Sequence, residues 1–139
     1  RYFNVYGPGE DRKDRMASVA YQMWQKSKTG EEIKLFPKKP SRDFVYVDDT
    51  ISANIFAYEN YYDLLGKWYE VGSGESKTFE DVLNILELPY NYHSEQEIPQ
   101  GYQFYTKSEK DSWMPGWEPK YNFNTMIDEM IETWMERLA

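Results

Sequence analysis

Apolar positions along the chain alternate between two periods. Arg1-Tyr2-Phe3-Asn4-Val5-Tyr6 opens as a β-prone, aromatic run that stops at Gly7-Pro8. A charged loop follows. From Met16 the apolar residues Met16, Val19, Ala20, Met23 and Trp24 recur at helical spacing, until Lys26, Lys28 and Gly30 supply a basic last turn and a stop. Ile33 to Phe36 and Asp43 to Val47 read as short strands around a Pro-containing turn, which suits a hairpin or a pair of edge strands. Asp48-Asp49-Thr50 is an N-cap cluster for a helix with Ile51, Ile55 and Tyr58 on one face. Trp68 to Val71 reads as a strand ending in Gly72-Ser73-Gly74. Thr78, with Glu80 and Asp81, then caps a helix over Phe79, Val82, Leu83 and Leu86 that ends at Leu88-Pro89. Residues 90–122 show little periodicity and take only a short strand at Gln103-Phe104-Tyr105 and a helical turn at Ser108–Trp113. Asn124 caps a final helix with Ile127, Met130, Ile131, Trp134 and Leu138 on its apolar face.

Strands alternating with helices make the class α/β, or α+β in isolation. The opening sequence of strand, Gly-Pro turn, charged loop and helix places side chains at the carboxyl edge of an α/β sheet, where ligands bind. A strand so rich in aromatics needs sheet neighbours. The chain therefore reads as the later part of a larger protein, with residues 1–7 displaced, disordered or paired with another chain.

Composition narrows the functions. At 139 residues the chain is one domain's worth. A net charge of −8 and no basic stripe argue against a nucleic-acid partner. Cysteine is absent, which excludes disulfides, thiolate metal sites and a Cys nucleophile, and the single histidine, His93, reads as a surface or loop residue, so no metal site is expected. No apolar run is long enough to span a bilayer and no signal-peptide pattern occurs, which fits a cytoplasmic location with no membrane partner. Thirteen Tyr, seven Phe and five Trp are enough to fill a core and an interface, and point to a homo-oligomer.

Four places carry candidate chemistry. Asn4 ends the opening strand at the ligand edge, although such an Asn equally caps a turn. Lys13 lies in Asp-Arg-Lys-Asp-Arg, where neighbouring cations and carboxylates pull its basicity in opposite directions, so a solvated loop is the plainer local reading. Phe36-Pro37-Lys38-Lys39-Pro40-Ser41-Arg42 sets an aromatic beside three cations, suited to a flat ring carrying phosphate. Tyr102 could present its hydroxyl to a sugar.

Arg1 to Pro8, followed by Arg42-Asp43-Phe44-Val45-Tyr46-Val47-Asp48-Asp49, resembles the extended short-chain dehydrogenase/reductase superfamily of nucleotide-sugar enzymes; Val71-Gly72-Ser73-Gly74 resembles its later strand end, with Glu70 where Asn is usual. Within it, Lys13 to Ser18, Leu35-Phe36 and Tyr102-Gln103-x-x-Thr106 are similar to the ADP-L-glycero-D-manno-heptose 6-epimerases. The resemblance implies the carboxyl-terminal, substrate-binding part of an extended Rossmann-type enzyme whose dinucleotide-binding half is missing. Residues 1–15 would carry the last Rossmann-side strand and the catalytic-loop lysine, and residues 16–139 the substrate domain. It further implies an NADP (or NAD) cofactor and a nucleotide-diphosphate sugar, with hydride removed and returned through a keto intermediate. Lys13 would be catalytic and face the cofactor with Val5. Asn4, Arg15, Gln22, Phe36, Pro37, Lys38, Lys39, Arg42 and Tyr102 would bind substrate.

Asp14, Arg15 and Gln22 depart from that family's Gly, small residue and His, and the turn after Phe36 is shorter and basic. These departures bear on sugar specificity. No Gly-rich dinucleotide fingerprint and no Tyr-x-x-x-Lys occurs, so the chain alone is expected to be inactive. Two alternatives stand beside this reading: another UDP-, GDP- or dTDP-sugar epimerase or dehydratase, and a non-catalytic binding or assembly module.

Overall fold

The computed structural model describes residues 1–138; Ala139 lies outside the described residues. Its elements are β1 (Asn4–Tyr6), α1 (Val19–Thr29), β2 (Lys34–Leu35), β3 (Ser41–Arg42), β4 (Phe44–Tyr46), α2 (Val47–Glu59), α3 (Tyr61–Leu64), β5 (Lys77–Thr78), α4 (Phe79–Ile85), β6 (Asn91–Tyr92) and α5 (Phe123–Leu138). The α/β class stands. β1 runs parallel to β4, with Asn4 opposite Phe44 and Tyr6 opposite Tyr46. On its other edge the Phe3 N–H donates to the Val71 carbonyl, while the Asn4 N–H donates to Asp43 on the β4 side. Alternate amides of a strand point to opposite edges, so the opening run is flanked on both sides.

That pairing corrects the expectation for residues 1–7: the run is placed and paired within the chain. Asp43 to Val47 supplies the missing neighbour. The expected hairpin does not form either. Lys38 and Lys39 both adopt left-handed backbone, with φ 73° and 50°, between Pro37 and Pro40. The chain swings away there, so β2 pairs in parallel with β6 and β3 pairs antiparallel with β5. The expected strand at 68–71 reduces to a bridge between Val71 and Tyr2, because the Glu70 N–H donates to Ser112. The strand at 103–105 likewise reduces to a bridge from Tyr105 to Ser41.

Local chemistry explains the helix ends. Ser18 caps α1 by accepting from the Tyr21 N–H, and Gly30 closes it in left-handed backbone. Met16, expected inside that helix, sits in a preceding 3₁₀ turn and is exposed. Thr78 and Asp81 form a reciprocal capping box on α4. The cap of α5 is Asn122 rather than Asn124: its Oδ1 accepts the Asn124 N–H at 2.8 Å.

The main core lies between β1, β4, α1, α4 and α5 and is rich in buried aromatics. Trp134 lies at its centre, 5.5 Å from Trp24 and edge-on to Tyr21 at 5.2 Å. A smaller cluster of Ala53, Val71, Met114 and Trp117 lies under α2. This reverses the expected face of α2. Trp117 Nε1 donates to Ser52 Oγ at 3.0 Å and Asp49 accepts the Lys120 and Tyr121 N–H groups, so the helix turns Asp49 and Ala53 inward and leaves Ile51, Ile55 and Tyr58 exposed.

Candidate functional site

The expected site residues fall into three neighbouring groups. The first lies at the carboxyl end of β1. Lys13 stands between two 3₁₀ turns, Glu10–Arg12 and Asp14–Met16. Its Nζ lies 3.4 Å from the Val5 carbonyl oxygen and 3.4 Å from Glu10 Oε2. Asp14 has φ 47°, a left-handed conformation that explains why a glycine is suited to this position. Asn4 Oδ1 accepts from Thr106 Oγ1 at 3.4 Å, and Thr106 Oγ1 accepts the Asp43 N–H at 3.1 Å.

The second group surrounds a cleft of about 180 Å³ lined by Gln22, Lys26, Phe36, Phe79 and Tyr102, among others. Phe36 and Tyr102 meet edge to face at 5.0 Å. The Arg42 guanidinium lies over two rings, 5.6 Å from Tyr102 and 5.4 Å from Phe79. Its Nη1 donates to the Ser41 carbonyl at 2.8 Å, which leaves the remaining guanidinium N–H groups for an anion. Lys38 and Lys39 are exposed on the adjoining turn, with Lys38 3.8 Å from Glu95. Pro37 is half-buried beside them.

Arg15 belongs to a third group, in a wider cleft of about 420 Å³ that also receives Glu10, Tyr21 and Gln22. Gln22 therefore borders both clefts. Its Nε2 donates to the Ala17 carbonyl at 2.7 Å, so the side chain secures the turn before α1. Asn4, Val5 and Lys13 line neither cleft.

Several contributors carried no local signal. Asp43 is fully buried and binds two loops at once. One carboxylate oxygen accepts the Ser73 N–H and hydroxyl, both at 2.7 Å, and the other accepts the Gly74 N–H at 3.0 Å and the Ser108 N–H and hydroxyl, both at 2.8 Å. Gly72 is required beside it, since a Cβ there would lie 2.7 Å from Asp43 and 2.5 Å from the Ser108 hydroxyl. His93 is half-buried, its ring 4.9 Å from Phe36 and its Nδ1 3.3 Å from Glu97. The Ser94 backbone N–H, then His93 and the Ser94 hydroxyl, hold the Glu97 carboxyl below the usual carboxylate range. Among the described residues no cluster of three or more His, Cys, Asp or Glu suits a metal ion, and no helix is long and apolar enough to cross a membrane.

Residues 1–72 match the NAD dependent epimerase/dehydratase family, and the chain belongs to that family. It is 35% identical, over 142 aligned positions, to the ADP-L-glycero-D-manno-heptose-6-epimerase of Brachyspira hyodysenteriae, covering 95% of this chain and 44% of that protein. Its fold is similar to the crystal structure of the corresponding Helicobacter pylori epimerase (TM-score 0.73, 26% identity, 95% of this chain and 42% of that one). It is also similar to UDP-glucose 4-epimerase from Thermotoga maritima with UDP-glucose (TM-score 0.74, 25% identity, 100% of this chain and 46% of that one). The chain spans less than half the length of each of these relatives.

Proposed function

We propose that this chain is the carboxyl-terminal, substrate-binding part of an NADP-dependent ADP-glycero-manno-heptose 6-epimerase. Residues 1–15 would face the dinucleotide-binding half, and residues 16–139 would hold the nucleotide sugar. The observation carrying this reading is the placement of Lys13 Nζ against the Val5 carbonyl at the end of β1, close to Asn4 on the same strand. The nicotinamide would take up and return the hydride. Val5 would lie beside it, and Lys13 would move the proton of the sugar hydroxyl as the keto intermediate forms and is reduced. Asn4 offers a side chain oriented by Thr106. Phe36, Arg42 and Tyr102 would grip base and diphosphate, with Pro37, Lys38 and Lys39 closing that end. Arg15 and Gln22 would border the sugar.

The test is a panel of nucleotide sugars given to the protein at the length of its relatives. The reading expects ADP-heptose to be epimerised with the highest kcat/KM. Asp14, Arg15, Gln22 and the basic Pro37–Lys39 turn favour a second reading, another UDP-, GDP- or dTDP-sugar epimerase or dehydratase, which the same panel would reveal. A non-catalytic assembly module would turn over none of them. Exposed Ile51, Ile55, Tyr58, Tyr62 and Trp68 support burial against further protein, including a homo-oligomeric partner.

A further inference from the structure

Glu10 is fully buried, one 3₁₀ turn before Lys13. The two residues are three apart, the spacing at which side chains on such a turn eclipse one another. Glu10 Oε2 accepts the Ser18 N–H at 2.9 Å and lies 3.4 Å from Lys13 Nζ. Its Oε1 is buried and has no hydrogen-bond partner among the described residues. A buried carboxylate is strongly unfavourable without a cation and hydrogen bonds. Arg15 and Lys26 line the cleft that Glu10 enters, but among the described residues Lys13 is the only cation within 4.0 Å of its carboxylate. Arg137 of α5 pairs with Asp11 at 2.9 Å, and Arg12, Asp14 and Arg15 are exposed. Tyr21 of α1 is near enough that its hydroxyl is pushed up, first by burial and then by Asp11 and Glu10.

We propose that Glu10 is a positioning residue for Lys13: its buried carboxylate, anchored on the N-cap residue of α1, holds the lysine ammonium against the Val5 carbonyl. The pair fixes the reach of Lys13 toward the end of β1 and ties that loop to the helix carrying Gln22. The use made of Lys13 rests on the proposed epimerase reading; the coupling of the two side chains does not.

Two measurements on the chain itself test the coupling without turnover. The first is the acetylation rate of Lys13 relative to the other lysines near neutral pH, read by mass spectrometry. Losing its buried partner releases the Lys13 side chain from the Val5 carbonyl and opens the amine to reagent, so E10Q should raise that rate about three- to tenfold, and E10D, which keeps the charge, should raise it less. An unchanged Lys13 rate in folded E10Q would overturn the proposal. The second uses Lys13→Met, which leaves Glu10 buried without its cation. Its melting temperature should fall by several degrees, and Lys13→Arg, which keeps the cation, should restore most of the loss. No deficit in Lys13→Met, or an equal deficit in Lys13→Arg, would also overturn it. If these results hold but epimerisation proves independent of Lys13, the coupling stands and the catalytic reading fails.

Discussion

The Arg42 guanidinium lies 5.6 Å from the Tyr102 ring centroid, joining two segments that are remote in sequence. Phe79 lies against the same guanidinium at 5.4 Å. The cation thus lies over two rings that themselves line a cleft with Phe36 and Gln22.

Arg42→Lys should impair nucleotide-sugar binding more than chemistry. An ammonium cannot stack as a plane or grip two phosphate oxygens together, so KM should rise about tenfold with kcat little changed. Steady-state kinetics of the protein at its relatives' length would show the split. Equal loss in kcat would point to a role in the chemical step instead.

Asp43→Asn should destabilise the chain. Five donors converge on the carboxylate, and an amide would turn its own N–H groups toward some of them. With hydrogen bonds to a charged group contributing about 1.5–3 kcal/mol each, the loss should reach about 3–5 kcal/mol in chemical denaturation. A change below about 1 kcal/mol would show that the two loops do not depend on Asp43.

Asp49 makes stability depend on pH in the less usual direction. Burial pushes its carboxyl up from the ordinary 3.8, against the Lys120 and Tyr121 N–H groups that pull it down. A raised folded pKa means that the folded state holds the proton more tightly than the unfolded chain. Asp49 therefore favours folding as pH falls through its folded pKa toward the ordinary value, and opposes it above. Asp49→Asn removes this titration, so the stability difference, variant minus parent, should move in the variant's favour as pH rises through that window. Denaturation curves across acid pH would detect the slope, and a slope of opposite sign would contradict the assignment.

Adding NADP to the 139-residue chain should leave its melting temperature unchanged, because the chain lacks a Gly-rich phosphate loop. Differential scanning fluorimetry with and without the dinucleotide is sufficient. A clear upward shift would show that this part binds the cofactor independently.

Elements whose signals are local were legible from the sequence. The Thr78 cap, the Gly30 stop and the apolar spacing of α1 and α5 each act within a few residues, and the α/β class followed from their alternation. Pairings were less legible because they depend on distant partners. The β1 run needed Asp43–Val47 and Val71, and two left-handed lysines between prolines diverted β2 from the expected hairpin. The face of α2 depends on distant partners in the same way: Asp49 is committed to backbone groups at 120 and 121, and Trp117 holds Ser52. At the site, Arg42 is legible from the aromatic and cations around it, and Lys13 only through motif resemblance. Glu10, in a charged loop, and Asp43, at the start of a short strand, give no local sign that folding will bury them.

The most direct test replaces Lys13 by Met in the protein at the length of its relatives and measures epimerisation of the nucleotide sugar it turns over. Loss of a positioned proton-transfer group should lower kcat by about a hundredfold or more, with KM changed far less. Turnover retained at the parent rate would contradict the assignment of Lys13 and, with it, the proposed mechanism.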